Sequence, residues 1–103
     1  MVIKAPKAAS PAECLRLEQL PNVGPALAAD LRSIGIERPA DLLGQDAFAL
    51  YRRLCAQTGQ RHDPCVLDTF MAAVNFMNGG RARPWWDFTA TRKRLVASGA
   101  IEL

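Results

Sequence analysis

Residues Leu17–Leu31 read LEQLPNVGPALAADL and hold two apolar series that flank a tight turn. Leu17 and Leu20 precede the turn, and the apolar residues after it recur with the spacing of one helical face. Gly24 is typical of a position where the backbone turns sharply or approaches another group closely, and Pro25 suits the first turn of a helix. The stretch therefore predicts a helix, a hairpin and a second helix, with Gly24 in a conformation that requires glycine.

The same turn is predicted to present unpaired backbone donors. The N–H groups of Gly24, Ala26 and Leu27 would cluster at the N-terminus of the second helix, where the helix dipole favours an anion such as a backbone phosphate. Together with Asn22 and Val23, these residues are the predicted phosphate contacts of the first turn.

This turn resembles the helix-hairpin-helix element of DNA repair and recombination proteins, which reads Leu-Pro-Gly-(Val/Ile)-Gly followed by a small residue. The positions that match are Leu20, Pro21, Val23, Gly24 and Ala28. Asn22 replaces the first glycine of the element, and Asn enters the left-handed region more readily than most residues. Ala26 stands where DNA-binding members often carry Lys.

Further blocks extend the likeness over about residues 14–94. They are Leu31–Ile36, Asp41-Leu42, Leu50–Cys55, Thr58–Asp68 and Pro84–Phe88. With the turn, they resemble a small bacterial family encoded in pathogenicity loci, whose members are often labelled mitomycin-resistance proteins. Residues 17–55 are also similar to the C-terminal domain of bacterial competence regulators. Neither resemblance implies a catalytic activity.

Helix start signals recur along the chain. Ser10-Pro11-Ala12-Glu13 is a capping box, which predicts a first helix that ends near Gln19. Asp46 and Asp63 are expected to cap two longer helices that flank a second turn over residues 59–63. A last helix is expected from Thr89 to about residue 98, and no stretch alternates as a strand would.

These signals predict an all-α fold of five to six short helices. Their order resembles a tandem helix-hairpin-helix-like (SAM-like) domain with a degenerate second hairpin, placed over residues 11–78. A flexible N-terminal arm over residues 1–10 precedes this domain. A C-terminal segment over residues 79–103, which begins with a Trp-Trp pair and ends in a helix, is expected to pack on it.

Composition indicates one globular, cytoplasmic domain. Half of the 103 residues are hydrophobic and 22% are charged, which excludes a disordered tail. No apolar run approaches the roughly 20 residues that cross a bilayer, and the N-terminus lacks the apolar core of a signal peptide. We therefore expect no membrane association.

Three cysteines leave an odd thiol, and without a secretion signal this favours reduced cysteines. The alternative is a metal site built from Cys55, His62 and Cys65, with Cys14 as a fourth ligand. No Cys-x-x-Cys pair supports that site. We predict small buried thiols, no metal and no cofactor.

The sequence offers no catalytic constellation, so a non-enzymatic protein is expected. His62 is the single histidine, and nothing specifies a geometry that would pair it with a cysteine nucleophile. Asp63 and Asp68 are a weak signature for metal-dependent cleavage. Phosphate-binding loops, dinucleotide fingerprints and nucleophile elbows are also missing from the sequence.

Charge is distributed unevenly along the chain. Residues 11–50 carry three basic and six acidic side chains, whereas residues 51–94 carry eight basic and three acidic ones. The basic half places Arg53 and Arg61 around the second turn, where they are predicted to contact DNA. Arg92, Lys93 and Arg94 form a basic triplet that is either a solvated helix surface or a partner contact. The net charge of +3 permits nucleic-acid binding.

Trp85 and Trp86 have two interpretations. They could stack on unpaired bases or anchor a protein partner, or they could close the core and attach the C-terminal helix. One buried and one exposed indole is the preferred arrangement, with Trp86 on the surface.

Two functions follow. The preferred one is weak, sequence-independent DNA binding through phosphate contacts from the first turn and, separately, from the Arg61 turn. The alternative is a protein-interaction module that presents Trp86, with Arg92, Lys93 and Arg94, to a partner.

Overall fold

Four α-helices form the framework of the protein, whose computed structural model describes residues 6–103. They are α1 (Pro25–Ser33), α2 (Ala47–Thr58), α3 (Pro64–Met77) and α4 (Thr89–Ala97). Short 3₁₀ turns over Pro11–Glu13, Leu17–Gln19, Pro39–Leu42 and Trp85–Phe88 connect or precede them. Residues 6–103 contain no β-strand, which confirms the all-α prediction for this part of the chain.

Local capping chemistry sets the ends of α2 and α3 where the sequence predicts them. The Asp46 carboxylate accepts the N–H of Phe48 at 2.9 Å, and that of Asp63 accepts the N–H of Cys65 at 2.9 Å. Gly59 ends α2 in the left-handed conformation, with φ of 69°. These contacts satisfy helix-end groups that would otherwise lack partners.

The prediction of a single first helix over residues 10–19 is wrong. The Ser10 side chain makes no capping hydrogen bond within residues 6–103, and Arg16 is extended, with φ of −128° and ψ of 146°. The side-chain oxygen of Gln19 accepts the N–H groups of both Leu15 and Arg16 at 2.9 Å. Because these bonds satisfy the backbone locally, the segment forms two separate 3₁₀ turns that still bury Cys14 and Leu17.

The core lies around α3, which packs against α2 and against the Trp85–Phe88 turn. Phe70 and Phe76 of α3 are the largest side chains that are almost fully buried. The core side chains that join them from the other elements include Leu17, Leu20, Val23, Leu31, Leu42, Leu50 and Leu54. None of the helices in residues 6–103 combines the length and apolar character that a membrane span needs.

A buried ion pair connects α4 to α3. The Asp68 carboxylate, which has no solvent exposure, accepts the Arg92 Nε–H at 2.8 Å and the Thr89 hydroxyl at 2.8 Å. A second guanidinium nitrogen of Arg92 lies 3.2 Å from the other Asp68 oxygen. The C-terminal helix is therefore fixed to the core by charge-assisted hydrogen bonds as well as by apolar contacts.

Part of the predicted N-terminal arm lies against the first turn. The N–H of Ala8 donates to the Gln19 carbonyl at 2.9 Å, and Nζ of Lys7 donates to the carbonyls of Glu18 and Val23. Residues 1–5 of the arm lie outside the described residues.

Candidate nucleic-acid interface

In the first turn, residues 20–24, the left-handed residue is Asn22, two positions before Gly24. The Val23 N–H closes the turn on the Leu20 carbonyl at 3.2 Å, and Asn22 has φ of 67°. The left-handed conformation expected of Asn22 is thus confirmed. The expectation that Gly24 requires glycine is wrong, because its φ of −94° and ψ of −176° are open to any residue.

Gly24 is distinguished by the open space around its backbone rather than by its backbone conformation. A Cβ built on this residue would have no heavy atom of residues 6–103 within 4 Å, apart from its chain neighbours. The internal packing of the described residues therefore does not demand a glycine here. Its missing side chain leaves the backbone open to approach from outside.

Three backbone donors are open at the N-terminus of α1. The first hydrogen bond of this helix runs from the Ala28 N–H to the Gly24 carbonyl at 2.9 Å. In the described part of the chain, the N–H groups of Gly24, Ala26 and Leu27 have no acceptor, and no side chain caps the helix. Since the helix dipole is positive at this end, the arrangement can bind an anion.

The five residues of the first turn that are predicted to contact DNA differ in their solvent exposure. Ala26 is exposed, whereas Asn22, Gly24 and Leu27 are partly buried. Val23 is fully buried in the core, so its side chain positions the turn from inside.

The fold brings basic residues to the first turn that the sequence does not place there. Nδ2 of Asn22 donates to the Arg83 carbonyl at 2.8 Å, across 61 positions of the chain. Lys7 lies on the same turn through its bond to the Val23 carbonyl at 2.6 Å. The nearby acid Glu18 is paired with Arg32 at 2.9 Å, and this side-chain hydrogen bond lowers the pKa of Glu18. Only a tertiary structure could reveal this grouping, because no local pattern links these segments.

Arg53 lies at the far end of α1 from Gly24. Its guanidinium donates to the carbonyl of Ile34, the residue that follows the last turn of α1. A helix of nine residues is about 13 Å long, so this cation complements the negative end of the α1 dipole rather than the open amides.

At the second turn, residues 59–63, the N–H groups of Cys65 and Val66 at the start of α3 both donate to Asp63, so this helix end is closed within the described residues. The Asp63 carboxylate occupies the N-terminus of α3, and its hydrogen bonds with the side chain and N–H of Cys65 lower the pKa of Asp63. An anion at this helix end would meet a carboxylate. Arg61 is an exposed residue of the second turn. It lines a separate concavity with Tyr51 and Glu102.

The predicted partner-binding residues divide into two groups. Trp86 is 62% exposed, and Lys93 and Arg94 are exposed on α4. Arg92 instead belongs to the buried pair with Asp68, and its side chain is only 15% exposed. The structure therefore places Arg92 in this pair rather than among the exposed side chains of Lys93 and Arg94.

The cysteines and the histidine occupy separate environments. Cys14 is buried, and this burial raises the pKa of its thiol, whereas Cys55 and Cys65 are half-buried. Nε2 of His62 lies 2.8 Å from the Thr58 hydroxyl, which fixes the ring at the second turn. Over residues 6–103, no three His, Cys, Asp or Glu side chains are placed to hold a metal ion.

Comparisons with known proteins agree with the sequence blocks. The model of a family described as "Pathogenicity locus" matches residues 10–94. The "Mitomycin resistance protein McrB" of Streptomyces lavendulae is 49% identical over 81 residues, which cover 79% of this chain and 77% of that protein. No solved structure matches the chain.

Proposed function

The chain belongs to the pathogenicity locus family, and from this premise we propose that it is a non-enzymatic, cytoplasmic DNA-binding domain that contacts phosphates without sequence preference. The observation that carries this proposal is the open N-terminus of α1, where three backbone N–H groups lack partners in the described residues. Residues 17–33, in which the 3₁₀ turn Leu17–Gln19 stands in place of the predicted first helix, would form one helix-hairpin-helix-like unit. The α2 and α3 helices with residues 59–63 would form a degenerate second unit.

Phosphate suits this site for electrostatic and steric reasons. Neighbouring N–H groups and the positive end of a helix dipole bind tetrahedral oxyanions in many proteins. The absence of a side chain at Gly24 lets a phosphate approach the backbone closely. Because phosphates are the same in every sequence, such contacts position DNA without reading bases.

Ala26 stands where DNA-binding members often carry Lys. Other basic side chains near the first turn supply the positive charge that such a Lys would give. Lys7 is bonded to the turn, and the Arg81–Arg83 segment adjoins it through the Asn22 hydrogen bond. Arg61 adds a separate side-chain contact at the second turn, since Asp63 closes the α3 amides there. One amide site with a few cations predicts weak binding, with Kd on the order of 10⁻⁴–10⁻⁶ M at physiological salt.

A salt titration with two matched variants tests the proposal. Ala26→Lys and Ala29→Lys add the same charge to exposed positions of the same helix, but only residue 26 lies beside the open amides. Affinity for a fluorescent duplex would be measured by anisotropy over a range of salt concentrations. Each added phosphate contact steepens the plot of log K against log salt by about 0.9.

We expect Ala26→Lys to tighten binding and steepen the salt slope by about one unit, and Ala29→Lys to change the slope by less than half of that. Equal effects of the two variants would show that only net charge matters. Undetectable binding of both duplex and single-stranded DNA by the wild type and by both variants would reject the proposed function.

A second candidate, a protein-interaction module, is favoured by one observation. Trp86 is 62% exposed and Leu43 is 56% exposed, and large exposed apolar side chains often anchor a partner. This candidate gains support if duplex and single-stranded DNA both fail to bind.

A further inference from the structure

We propose that the segment Arg81–Trp86 gives the protein a preference for DNA with unpaired bases, with the exposed face of Trp86 stacking on a base while Arg81 contacts its phosphates. This inference rests on the proposed DNA binding and adds the class of DNA. The segment is outside the first turn, so its contribution can be measured separately.

Trp86 is exposed, but contact with Trp85 restricts its side chain. Its side chain is 62% exposed, while Trp85 packs against it edge to face, with ring centroids 5.7 Å apart and planes at 83°. Such T-shaped pairs are a preferred aromatic geometry. The contact holds the Trp86 ring from one side and leaves apolar surface open to solvent.

The segment that carries Trp85 and Trp86 is held rigidly on the core. The turn Trp85–Phe88 packs against α3, and the Asp68–Arg92 pair fixes the helix that follows it. Arg83 stacks over the Phe88 ring at 4.6 Å and pairs with Asp87 at 3.3 Å. A platform that is ordered before binding loses less conformational entropy when a ligand stacks on it.

Cations lie next to the indole pair. A polar concavity of about 530 Å³ is lined by Arg81, Arg83, Asn75 and Asp87, among others. The pairing of Arg83 with Asp87 offsets the single acid there, so the exposed Arg81 leaves a net positive charge. Arg81 lies five residues before Trp86, where it can reach the phosphates that flank a stacked base, while Arg83 remains paired with Asp87.

This surface adjoins the proposed phosphate site. The Arg83 carbonyl accepts the Asn22 amide of the first turn at 2.8 Å, and three residues of extended chain span at most about 11 Å. A strand held at the first turn would therefore reach Trp86 within a few nucleotides.

The chemistry selects unpaired bases over duplex. Bases inside a duplex are stacked on both faces, whereas a single strand offers free faces to an aromatic ring. The neighbouring arginines favour a nucleic acid over a neutral protein surface, because a stacked base always carries phosphates beside it.

The experiment compares a short oligothymidine with a mixed-sequence duplex of equal phosphate count, using the full chain. We expect Trp86→Ala to weaken oligothymidine binding by about 5- to 20-fold and duplex binding by less than about twofold. Trp86→Phe keeps an aromatic face and should retain most of the affinity. Leu43→Ala, which trims another exposed apolar side chain, should change neither.

The outcomes separate this inference from the proposed function. Unchanged oligothymidine binding by Trp86→Ala, or an equal loss on both ligands, overturns the stacking role while duplex binding by the wild type upholds the proposed function. If the wild type binds neither ligand, the proposed function fails and the inference fails with it. A Trp86→Ala protein that then loses a purified protein partner would assign Trp86 to the interaction module.

Discussion

Replacing Arg92 with alanine tests the buried pair that attaches α4 to α3. The Asp68 carboxylate has no solvent exposure and receives hydrogen bonds only from Arg92 and Thr89 among residues 6–103. Without the guanidinium, a buried carboxylate would keep one donor. Removing one partner of a buried ion pair destabilises proteins by about 3–5 kcal/mol.

This loss is large compared with the total stability of a domain of this size, which is about 5–15 kcal/mol. Urea unfolding followed by circular dichroism would measure it as a shift in the midpoint. Lys93→Ala is the matched control, because it removes the same charge from the next residue, which is exposed. We expect the control to stay within about 0.5 kcal/mol of the wild type.

A hydrophobic replacement of both partners, Asp68→Leu with Arg92→Met, should recover most of the stability, because it removes the unpaired charge as well as the pair. If Arg92→Ala and Lys93→Ala unfold at the same urea concentration, the buried pair does not stabilise the protein. That result would mean that Arg92 is solvated, as the basic-triplet interpretation assumed.

Four further predictions concern the first turn, the acid dependence and metal. Asn22→Ala should cost about 1–2 kcal/mol, since φ of 67° disfavours alanine and its hydrogen bond to the 81–84 segment is lost, whereas Asn22→Gly should cost less. Gly24→Ala should change thermal stability by less than about 1 kcal/mol yet weaken duplex binding; a strongly destabilised variant would contradict the extended φ. Backbone N–H bonds from Arg38 and Glu37 lower the pKa of Asp41, so its contribution to stability is complete above the unfolded pKa of about 3.9 and declines as the pH falls below it. Asp41→Asn should therefore flatten the fall of the melting temperature in acid. A strong chelator should leave the melting temperature unchanged, and zinc lost together with helicity would overturn this.

Helix boundaries that depend on local chemistry were predictable from the sequence. Asp46 and Asp63 cap helices through their own neighbours, and Pro25 begins α1 as its fixed φ favours. The sequence pattern was wrong where a side chain competes for backbone donors. The side-chain oxygen of Gln19 accepts N–H groups that would bond to backbone carbonyls in a continuous first helix. The pattern predicted the left-handed conformation of Asn22 correctly, but it also assigned a glycine-only conformation to Gly24, whose backbone is extended.

Features that depend on distant segments were beyond sequence reasoning. Nothing in the Arg-Lys-Arg triplet shows that Arg92 faces Asp68 across 24 positions. The proximity of Arg83 to the first turn is likewise a tertiary result. The sequence therefore predicted the backbone donors of the candidate site, but it did not predict the cations beside them.

The central claim is that the open amides at the start of α1 contact DNA phosphate. The most direct measurement is amide chemical-shift mapping by ¹H–¹⁵N NMR during a titration with duplex DNA at low salt. We predict that Gly24, Ala26 and Leu27 show the largest amide shifts, reversed by added salt. Shifts confined to residues 59–63 or 92–94, with the amides of α1 unchanged, would contradict it.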